Sequence, residues 1–476
     1  MLRFIDTDQS RPDKRSEAER RTDFAEIYNP FEDGPAKSQA SRCSQCGVPF
    51  CQSGCPLQNN IPDWLKLAAE GRMREAYLVS SATSTMPEVC GRICPQDRLC
   101  EGACVIEQSG HGAVTIGSVE QYITETAWAE GWVEPVRIGP DRGASVGIIG
   151  AGPAGLAAAE RLREAGIAVT VYDRYDRVGG LLIYGIPGFK LDKSVVARRV
   201  ERLKEAGVEF RLNFEVGRDA SLEELRAQHS SILIATGVYK ARQLACPGAG
   251  EGSVIQALDY LTQSNRTGLG DTIDSSSLDA LSASGRNVVV IGGGDTAMDC
   301  VRTAIRQGAK SVKCLYRRDR ENMPGSAREV NHAEEEGVEF VWLSAPQAVL
   351  TKGDAVSAVR VQRMKLGDPD ASGRRSPVAI EGDVYDEPAD MVISALGFSP
   401  EDLPVMFDAP GLEVSRWGTV EADADTLMTA LDGVFVAGDI YRGASLVVWA
   451  MRDGQDAARS ITAYIDNRMQ VLGAAE

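Results

Sequence analysis

Apolar residues recur along this chain in two different patterns. From residue 61 the segment IPDWLKLAAEGRMREAYLVSSA has an Ile-Pro start followed by apolar residues at helical spacing. From residue 145 the chain changes to β-branched runs that end in glycine turns and lead into alanine-rich helical stretches, as in SVGIIGAGPAGLAAAERLREAGIAVTVYD. These patterns predict a small, mostly helical region first and an α/β region after it.

The strand, glycine turn, helix and strand of residues 145–173 occur a second time, in NVVVIGGGDTAMDCVRTAIRQGAKSVKCLYRR. Two Rossmann-like dinucleotide-binding folds are therefore predicted. The later segment GVFVAGDIYRGASLVVWAMRDGQDAARSITAYI returns to a strand, a Gly-Asp turn and a helix, so the second fold is predicted to be inserted into the first. The predicted domains are residues 1–140 for the helical region, 141–250 with 394–476 for the first fold, and 251–393 for the second.

Length and charge narrow the function classes. The 476 residues leave room for about three domains. A formal net charge of -17 argues against a nucleic-acid or anionic-membrane partner. The chain has no apolar run typical of a signal peptide and no stretch of about 18 uninterrupted apolar residues. We therefore expect a soluble cytoplasmic protein, with no nucleic-acid or membrane partner.

Cysteine is the residue type with the most informative distribution. Eight of the eleven cysteines fall between Cys43 and Cys104, which in a cytoplasmic chain favours metal or redox chemistry over disulfides. The first group has the spacing Cys43-x2-Cys46-x4-Cys51-x3-Cys55-Pro56, which resembles a ferredoxin pattern, and the second is Cys90-x3-Cys94-x5-Cys100-x3-Cys104. Zinc also binds four cysteines, but its sites usually come as paired short hairpins. The spacing favours iron–sulfur clusters.

Sharing of ligands between the two groups is the arrangement that we favour. One [4Fe-4S] centre would take Cys43, Cys46, Cys51 and Cys104, and the other would take Cys55, Cys94 and Cys100. The second centre then lacks a ligand. Cys90 and Glu120, the latter on the helical segment SVEQYITETAWAE, are both candidates, and ligand softness alone favours the thiolate.

The first glycine turn has the features of a flavin site. Gly150-x-Gly152-x-x-Gly155 follows a predicted strand and opens a helix, and Asp173 ends the next strand 23 residues after Gly150. Supporting features are Gly180, the segment ILIATG at 232–237, and Asp439 in GVFVAGD. Together they resemble the flavoproteins with two dinucleotide-binding domains, in which the late aspartate contacts the ribitol and phosphate of FAD. The resemblance implies FAD in the first fold, against the alternative of a fold that binds only NAD.

The second glycine turn favours NADPH. Gly292, Gly294, Asp295 and Thr296 belong to the turn, and Ala297 stands at the third fingerprint position. The next strand ends in Arg317 and Arg318, where a fold for NAD usually presents an acid. Guanidinium groups bind a 2'-phosphate with charge-assisted hydrogen bonds. The alternative is that the two arginines are merely solvated on an edge.

Several longer phrases resemble one family along nearly the whole chain. RCSQCGVPFCQSGCPLQNNIPDW, RICPQDRLCEGACV, GGLLIYGIPGFKL, RRDRENMPGS and GASLVVWAMRDGQDAA are similar to the NADPH-dependent glutamate synthase small (beta) subunits. Dihydropyrimidine dehydrogenase shares this module of FAD, NADPH and iron–sulfur clusters.

The resemblance implies that NADPH is oxidised at FAD, with hydride passing between the cofactors and no catalytic side chain. Electrons then pass through two [4Fe-4S] clusters to a large (alpha) subunit, which makes L-glutamate from L-glutamine and 2-oxoglutarate. It also implies shared cluster ligands, with Glu120 rather than Cys90 completing the second set. Asp173 departs from the Glu of many relatives, and dihydropyrimidine dehydrogenase has a glutamine where Glu120 stands.

Two other functions share parts of this pattern. A ferredoxin or sulfide NADP oxidoreductase subunit could be built on the same module. A thioredoxin-reductase-like enzyme would need a redox CxxC in or beside the nicotinamide domain, whereas Cys300 and Cys314 are 14 residues apart. We therefore expect the glutamate synthase subunit, with the ferredoxin or sulfide oxidoreductase as the alternative.

Overall fold

A helical region opens the chain in the computed structural model, which describes residues 1–250, 252–370, 373 and 375–473. Its helices are α1 (Glu17–Arg20), α2 (Asp33–Ser41), α3 (Phe50–Ser53), α4 (Ile61–Ala69), α5 (Met73–Thr83), α6 (Pro87–Ile93), α7 (Val105–Gln108) and α8 (Ile116–Ala129). Short 3-10 turns occupy Arg3–Ile5 and Gln96–Arg98. The predicted helical character of this region is confirmed.

Trp64 is at the centre of the helical region. Its side chain is fully buried, and its indole N–H donates to Asn59 Oδ1 at 3.0 Å, while Asn59 Nδ2 donates to the Ser80 carbonyl at 2.9 Å. A buried indole N–H needs a partner, and this chain of bonds supplies one while joining α4 to α5. The apolar stripe predicted from residue 61 onwards is therefore the inner face of this core.

The first parallel sheet follows. Its first part contains β1 (Ser145–Ile149), α9 (Pro153–Glu164), β2 (Ala168–Tyr172), α10 (Leu181–Tyr184), α11 (Lys193–Glu205), β3 (Glu209–Arg211), α12 (Leu222–Gln228) and β4 (Ser231–Ile234). Ile148 on β1 pairs with Val171 on one side and Leu233 on the other, all parallel. β1 and β4 are buried along nearly their whole length, as expected for strands of a parallel sheet whose two faces are covered.

A second parallel sheet is inserted next. β5 (Lys240–Ala241) leads to β6 (Ile255–Gln256), α13 (Ala257–Gly268), α14 (Ser275–Leu281), β7 (Asn287–Ile291), α15 (Asp295–Arg306), β8 (Ser311–Leu315), α16 (Ala327–Glu335) and β9 (Glu339–Val341). An antiparallel meander of β10 (Ser344–Lys352), β11 (Ala355–Pro369) and β12 (Arg375–Pro388) precedes β13 (Met391–Ser394). The parallel order is β6-β13-β7-β8-β9.

The chain then returns to the first sheet. β14 (Phe398–Ser399) pairs antiparallel with β5, so the outgoing and returning connections run side by side. After α17 (Leu403–Met406), β15 (Val434–Val436) joins the edge of the first sheet in the order β15-β4-β1-β2-β3, and α18 (Asp439–Arg442) and α19 (Val447–Gly473) follow. The predicted insertion of one α/β fold into another is confirmed.

The helical region shares a core with the first sheet. Cys90 and Cys94 pack into the same apolar cluster as Val448 and Met451 of α19, and Cys90 Sγ lies 3.9 Å from Met451 Sδ. Nearby, the fully buried Glu88 carboxylate accepts two hydrogen bonds from Arg199, at 2.6 and 2.8 Å. The two parts are therefore one packed unit.

Membrane insertion by a helix is not supported by this fold. Over the described residues, every helix is too short or too polar to traverse a bilayer.

Candidate functional site

Three strand ends of the first sheet meet at one edge and form a groove. The turn after β1 contributes Gly150 and Gly152, the turn after β4 contributes Thr236, and the turn after β15 contributes Asp439. Parallel strands place their carboxyl ends at the same edge, which is where open α/β sheets bind ligands. The groove is continuous with a second cavity, since Gly150, Asp173, Thr236 and Tyr239 line both.

The glycines of the first turn show what the groove accommodates. A methyl group at Gly150, whose φ is +113°, would come within 2.3 Å of the Ala235 carbonyl, and one at Gly155 would come within 2.1 Å of the Gly150 carbonyl. At these two positions the neighbouring backbone leaves no room for a side chain. A methyl at Gly152 would meet nothing within 4 Å, so the backbone there faces open space at the start of α9. That opening fits a pyrophosphate approaching the amides of a helix N-terminus.

Asp173 holds the turn from the next strand. Its carboxylate accepts from the backbone N–H of Ala151 at 2.7 Å and from that of Tyr175 at 2.8 Å. Burial raises the pKa of Asp173, and these two amides oppose the rise. The side chain lines the groove, so it is in place both to order the turn and to face a ribose.

Gly180 and Asp439 close the groove from two further sides. A methyl at Gly180 would come within 2.9 Å of the Gly152 Cα, so this segment lies directly on the first turn. Burial raises the pKa of Asp439 to about 6, against the Ser445 backbone amide, which lowers it. The Thr236 hydroxyl is buried without a hydrogen-bond partner among the described residues. A buried polar atom of this kind suits a ligand that supplies the missing bond.

The second cavity, which is continuous with the groove, contains residues that sequence motifs did not indicate. Arg174 pairs with Glu401 at 2.9 Å, and its guanidinium lies 4.8 Å from the centre of the Tyr239 ring. Glu401 follows the inserted fold, so no local pattern could have placed it beside Arg174. Only the return of the chain to the first sheet brings the two together.

The second glycine turn opens a larger cleft, of about 700 Å³, at the carboxyl edge of the second sheet. Gly292, Gly294 and Thr296 line it, and a methyl at Gly294 would meet nothing within 4 Å. Asp295 is placed differently: its Oδ1 accepts from the Ser326 backbone N–H at 3.0 Å. The far wall comes from Arg242 and Pro346, among other residues outside any motif.

Arg317 and Arg318 both line this cleft, at the end of β8. Arg317 is exposed, and Arg318 Nε is a buried nitrogen without a hydrogen-bond partner in the described part of the chain. An unsatisfied guanidinium nitrogen facing a cleft fits an anionic ligand such as a phosphate.

The first set of thiols lies in the helical region. Cys43 and Cys104 pack in the core of the helical region, with Cys51 against the same core. Burial, with smaller contributions from the nearby Cys104, Cys43 and Cys46, raises the pKa of Cys51 to about 12. Cys51 therefore lies near the other three thiols of this set, although Cys104 is far along the chain from them.

The second set gathers Cys55, Cys94, Cys100 and Glu120. Burial raises the pKa of Cys55 to about 11, and the neighbouring Cys90 and Glu120 add to the rise. Burial also raises the pKa of Cys100, with Glu101, Cys55 and Glu120 contributing. Three thiols and one carboxylate thus share a second location.

Glu120 and Cys90 differ in their surroundings. Burial raises the pKa of Glu120 to about 8, and the Ser80 hydroxyl, which donates to its Oε1 at 3.2 Å, opposes the rise. A hydrogen bond that the Cys94 thiol donates to Cys90, together with burial, raises the pKa of Cys94. Cys90 Sγ also contacts Met451 Sδ. Glu120 raises the pKa of all three thiols of the second set, whereas Cys90 does so for Cys55 and Cys94.

A single metal ion fits these thiols poorly. Across residues 1–250, 252–370, 373 and 375–473, no three His, Cys, Asp or Glu side chains form a site for one ion. The tight tetrahedral set that zinc requires is therefore absent from the described side chains.

Two family models match the chain. Residues 20–132 match "Dihydropyrimidine dehydrogenase domain II, 4Fe-4S cluster", and residues 144–454 match "Pyridine nucleotide-disulphide oxidoreductase". Among solved structures, FprA of Mycobacterium tuberculosis in complex with NADPH is similar with a TM-score of 0.58 and 19% identity, over 69% of this chain and 86% of that one. That likeness concerns the fold.

Two curated relatives are similar over almost their full length. "Glutamate synthase [NADPH] small chain" of Azospirillum brasilense is 66% identical over 98% of this chain and 96% of the relative. The protein of the same name in Escherichia coli (strain K12) is 45% identical over 98% of this chain and 99% of the relative.

Proposed function

Since the chain belongs to the family of glutamate synthase [NADPH] small chains, we propose that it oxidises NADPH at FAD and delivers the electrons, through two [4Fe-4S] clusters, to a larger subunit. That larger subunit makes L-glutamate from L-glutamine and 2-oxoglutarate. The observation that carries the proposal is the packing of Cys55 and Cys94, of the second thiol set, against an α/β region with two open glycine turns.

The cofactors divide between the three parts of the chain. We assign residues 1–140 to the clusters, 141–250 with 394–476 to FAD, and 251–393 to NADPH. When bound, FAD would take two electrons as hydride from NADPH and release them singly to clusters, which carry one electron at a time. The protein supplies no acid or base to that transfer.

Binding falls to the turn residues. In the first fold Gly150, Gly152, Gly155, Asp173, Gly180 and Asp439 would hold FAD, and in the second Gly292, Gly294 and Thr296 would approach the NADPH pyrophosphate. Arg317 and Arg318 would select the 2'-phosphate. Asp295 would act indirectly, by accepting a hydrogen bond from the Ser326 backbone N–H.

The second thiol set adjoins the flavin groove. Cys90 contacts both Cys94 of that set and Met451 of α19, and the residue before Met451, Ala450, lines the groove. We infer that Cys55, Cys94, Cys100 and Glu120 hold the cluster nearer to FAD. Cys43, Cys46, Cys51 and Cys104 then hold the outer one.

The outer set faces an uncharged surface that suits a protein partner. No charged residue occurs from Ser44 to Asn60, although 25% of the chain is charged. Within this run Val48 is 63% exposed and Phe50 is 51% exposed, on either side of Pro49 and beside Cys46 and Cys51. The centres of protein interfaces are depleted in charge and enriched in aromatic residues. We propose that the larger subunit binds here.

Reconstitution with the larger subunit tests the proposal. The purified chain alone should reduce an artificial electron acceptor with NADPH and form no glutamate, and adding the larger subunit should restore NADPH-dependent glutamate formation. A chain that binds FAD but cannot oxidise NADPH would refute the assignment.

The docking surface has a matched control. Val48→Asp should weaken assembly and glutamate formation while leaving the reduction of the artificial acceptor unchanged. Val378→Asp, at a residue that is 45% exposed on β12, should change neither. Equal effects of the two variants would remove the proposed surface.

A further inference from the structure

The loop between two ligands of the second set contacts the wall of the NADPH cleft. This loop contains the 3-10 turn Gln96–Arg98, between Cys94 and Cys100. Arg98 Nη1 donates to the Pro324 carbonyl at 2.7 Å, and Pro324 lines the cleft. One short hydrogen bond thus joins the cluster region to the nucleotide site.

The contacted segment, residues 322–326, is itself fixed to the second glycine turn. The Gly325 backbone N–H donates to the Gly293 carbonyl at 2.9 Å, and the Ser326 N–H donates to Asp295. The Ser326 hydroxyl makes no capping bond to α16 and instead lies 3.4 Å from Asp97 Oδ1. Segment 322–326 therefore lies between the turn that would hold the pyrophosphate and the loop that would hold a cluster.

The helix that follows this segment is also held by the first part of the chain. Tyr28 Oη lies 2.9 Å from His332 Nε2 in α16, and Lys14 pairs with Glu335 at 2.7 Å. Arg20 Nη1 lies 3.4 Å from Glu336 Oε1, one residue past the helix end. Both ends of α16 are thus anchored to residues 1–140.

We propose that Arg98, assisted by Asp97, is a positioning residue for NADPH. By holding the Pro324 carbonyl, it keeps segment 322–326 in the shape that forms one wall of the cleft. This rests on the proposed function of the second fold. A binding segment that is ordered before the ligand arrives lowers the entropic cost of binding. Loss of the contact should therefore weaken NADPH binding without slowing hydride transfer.

The coupling must act in both directions. If Arg98 stabilises the conformation that binds NADPH, bound nucleotide stabilises the loop of Cys94 and Cys100 to the same extent. The stability of the loop would therefore depend on whether nucleotide occupies the cleft. Residues 1–140 would then contribute to nucleotide binding as well as to electron exit.

Arg98→Ala tests this in the full-length, flavin-loaded chain with NADPH and an artificial acceptor. KM for NADPH and Kd for NADP⁺ should both rise by about threefold to tenfold, as expected for an exposed charged hydrogen bond, with kcat unchanged. Arg98→Lys should recover part of the loss. Arg74→Ala is the matched control, since Arg74 is exposed and its nearest carboxylate, Glu134, is 3.7 Å away.

The outcomes separate the inference from the proposed function. A wild-type chain that does not oxidise NADPH overturns the function, whereas an active wild type with unchanged KM in Arg98→Ala overturns only the role of Arg98. Iron and flavin are measured per chain in each variant. If Arg98→Ala loses iron, the second variant is Ser326→Ala, which removes the contact to Asp97 without changing the loop between the cluster ligands. A KM for NADPH raised by about twofold in Ser326→Ala supports the inference, and an unchanged KM overturns it.

Discussion

The structure predicts that Glu336→Gln causes a large loss of stability. Its carboxylate is fully buried and lies among three arginines from two parts of the chain. It accepts from Arg302 Nε and Nη2, both at 2.9 Å, and from Arg306 Nη1 at 2.6 Å and Nη2 at 3.0 Å. Arg20 approaches at 3.4 Å. Glutamine keeps the volume and removes the negative charge that these three guanidiniums share.

The magnitude follows from burial. Removing one partner of a buried ion pair costs about 3–5 kcal/mol, because the remaining charges stay desolvated. We expect the lower end, about 3 kcal/mol, since Arg302 keeps a second carboxylate, that of Glu329, at 2.6 Å. That is a large share of the roughly 5–15 kcal/mol by which proteins are stable.

The lowered pKa of Glu336 predicts how this contribution depends on pH. Burial favours a raised pKa, but hydrogen bonds from Arg306 and Arg302 lower it to about 2, from an ordinary value of 4.5. A depressed folded-state pKa stabilises the protein above pH 4.5 and loses this contribution as the pH falls towards 2. The stability gap between wild type and Glu336→Gln should therefore be constant above pH 4.5 and narrow below it.

Urea unfolding followed by tryptophan fluorescence and circular dichroism is the assay, at several pH values. Glu334→Gln, two residues earlier in the chain, is the matched control, because the Glu334 side chain is 37% exposed and pairs with Arg320 on the surface. It should cost less than about 1 kcal/mol. The reasoning is refuted if the two variants lose equal stability, or if their difference does not depend on pH below 4.5.

Two further predictions concern the cofactor sites. Arg317→Glu should raise KM for NADPH by about 30-fold or more and KM for NADH by less than about threefold, because only NADPH carries a 2'-phosphate to be repelled. Arg320→Glu is the control: the native Arg320 side chain pairs with Glu334 and not with the cleft, so this variant should keep the preference for NADPH. Equal losses for both coenzymes in Arg317→Glu would contradict the assignment. Glu120→Ala should lower the iron content per chain by about half, which is the share of one of two clusters. Cys90→Ser should keep the full iron content. The reverse result would make Cys90 the ligand.

The shared core determines how the helical region can be studied. Cys90 and Cys94 pack with Met451 of α19, so deleting residues 1–140 would expose apolar surface of the FAD-binding fold. Loss of activity in such a truncated chain could result from unfolding of the FAD-binding fold as well as from loss of electron transfer. Point substitutions at Arg98 and Val48 avoid this difficulty.

The sequence alone determined the features that depend on short stretches of chain. A glycine turn between a strand and a helix is set by backbone conformation within a few residues, which is why both turns could be located from Gly150 and Gly292 onwards. The return of the chain to the first sheet was readable from the strand and turn at Asp439. The cysteine spacings indicated clusters, because short loops bring thiolates together at little entropic cost.

Only the tertiary structure decided which distant residues meet. Arg98 and Pro324 are 226 positions apart, Arg174 and Glu401 are 227 apart, and Arg20 and Glu336 are 316 apart. No periodicity or motif links such pairs, because each contact depends on how three folded parts pack against one another. The binding turns are local and could be read from the chain, whereas the contacts that join the cluster loop to the nucleotide cleft arise only from that packing.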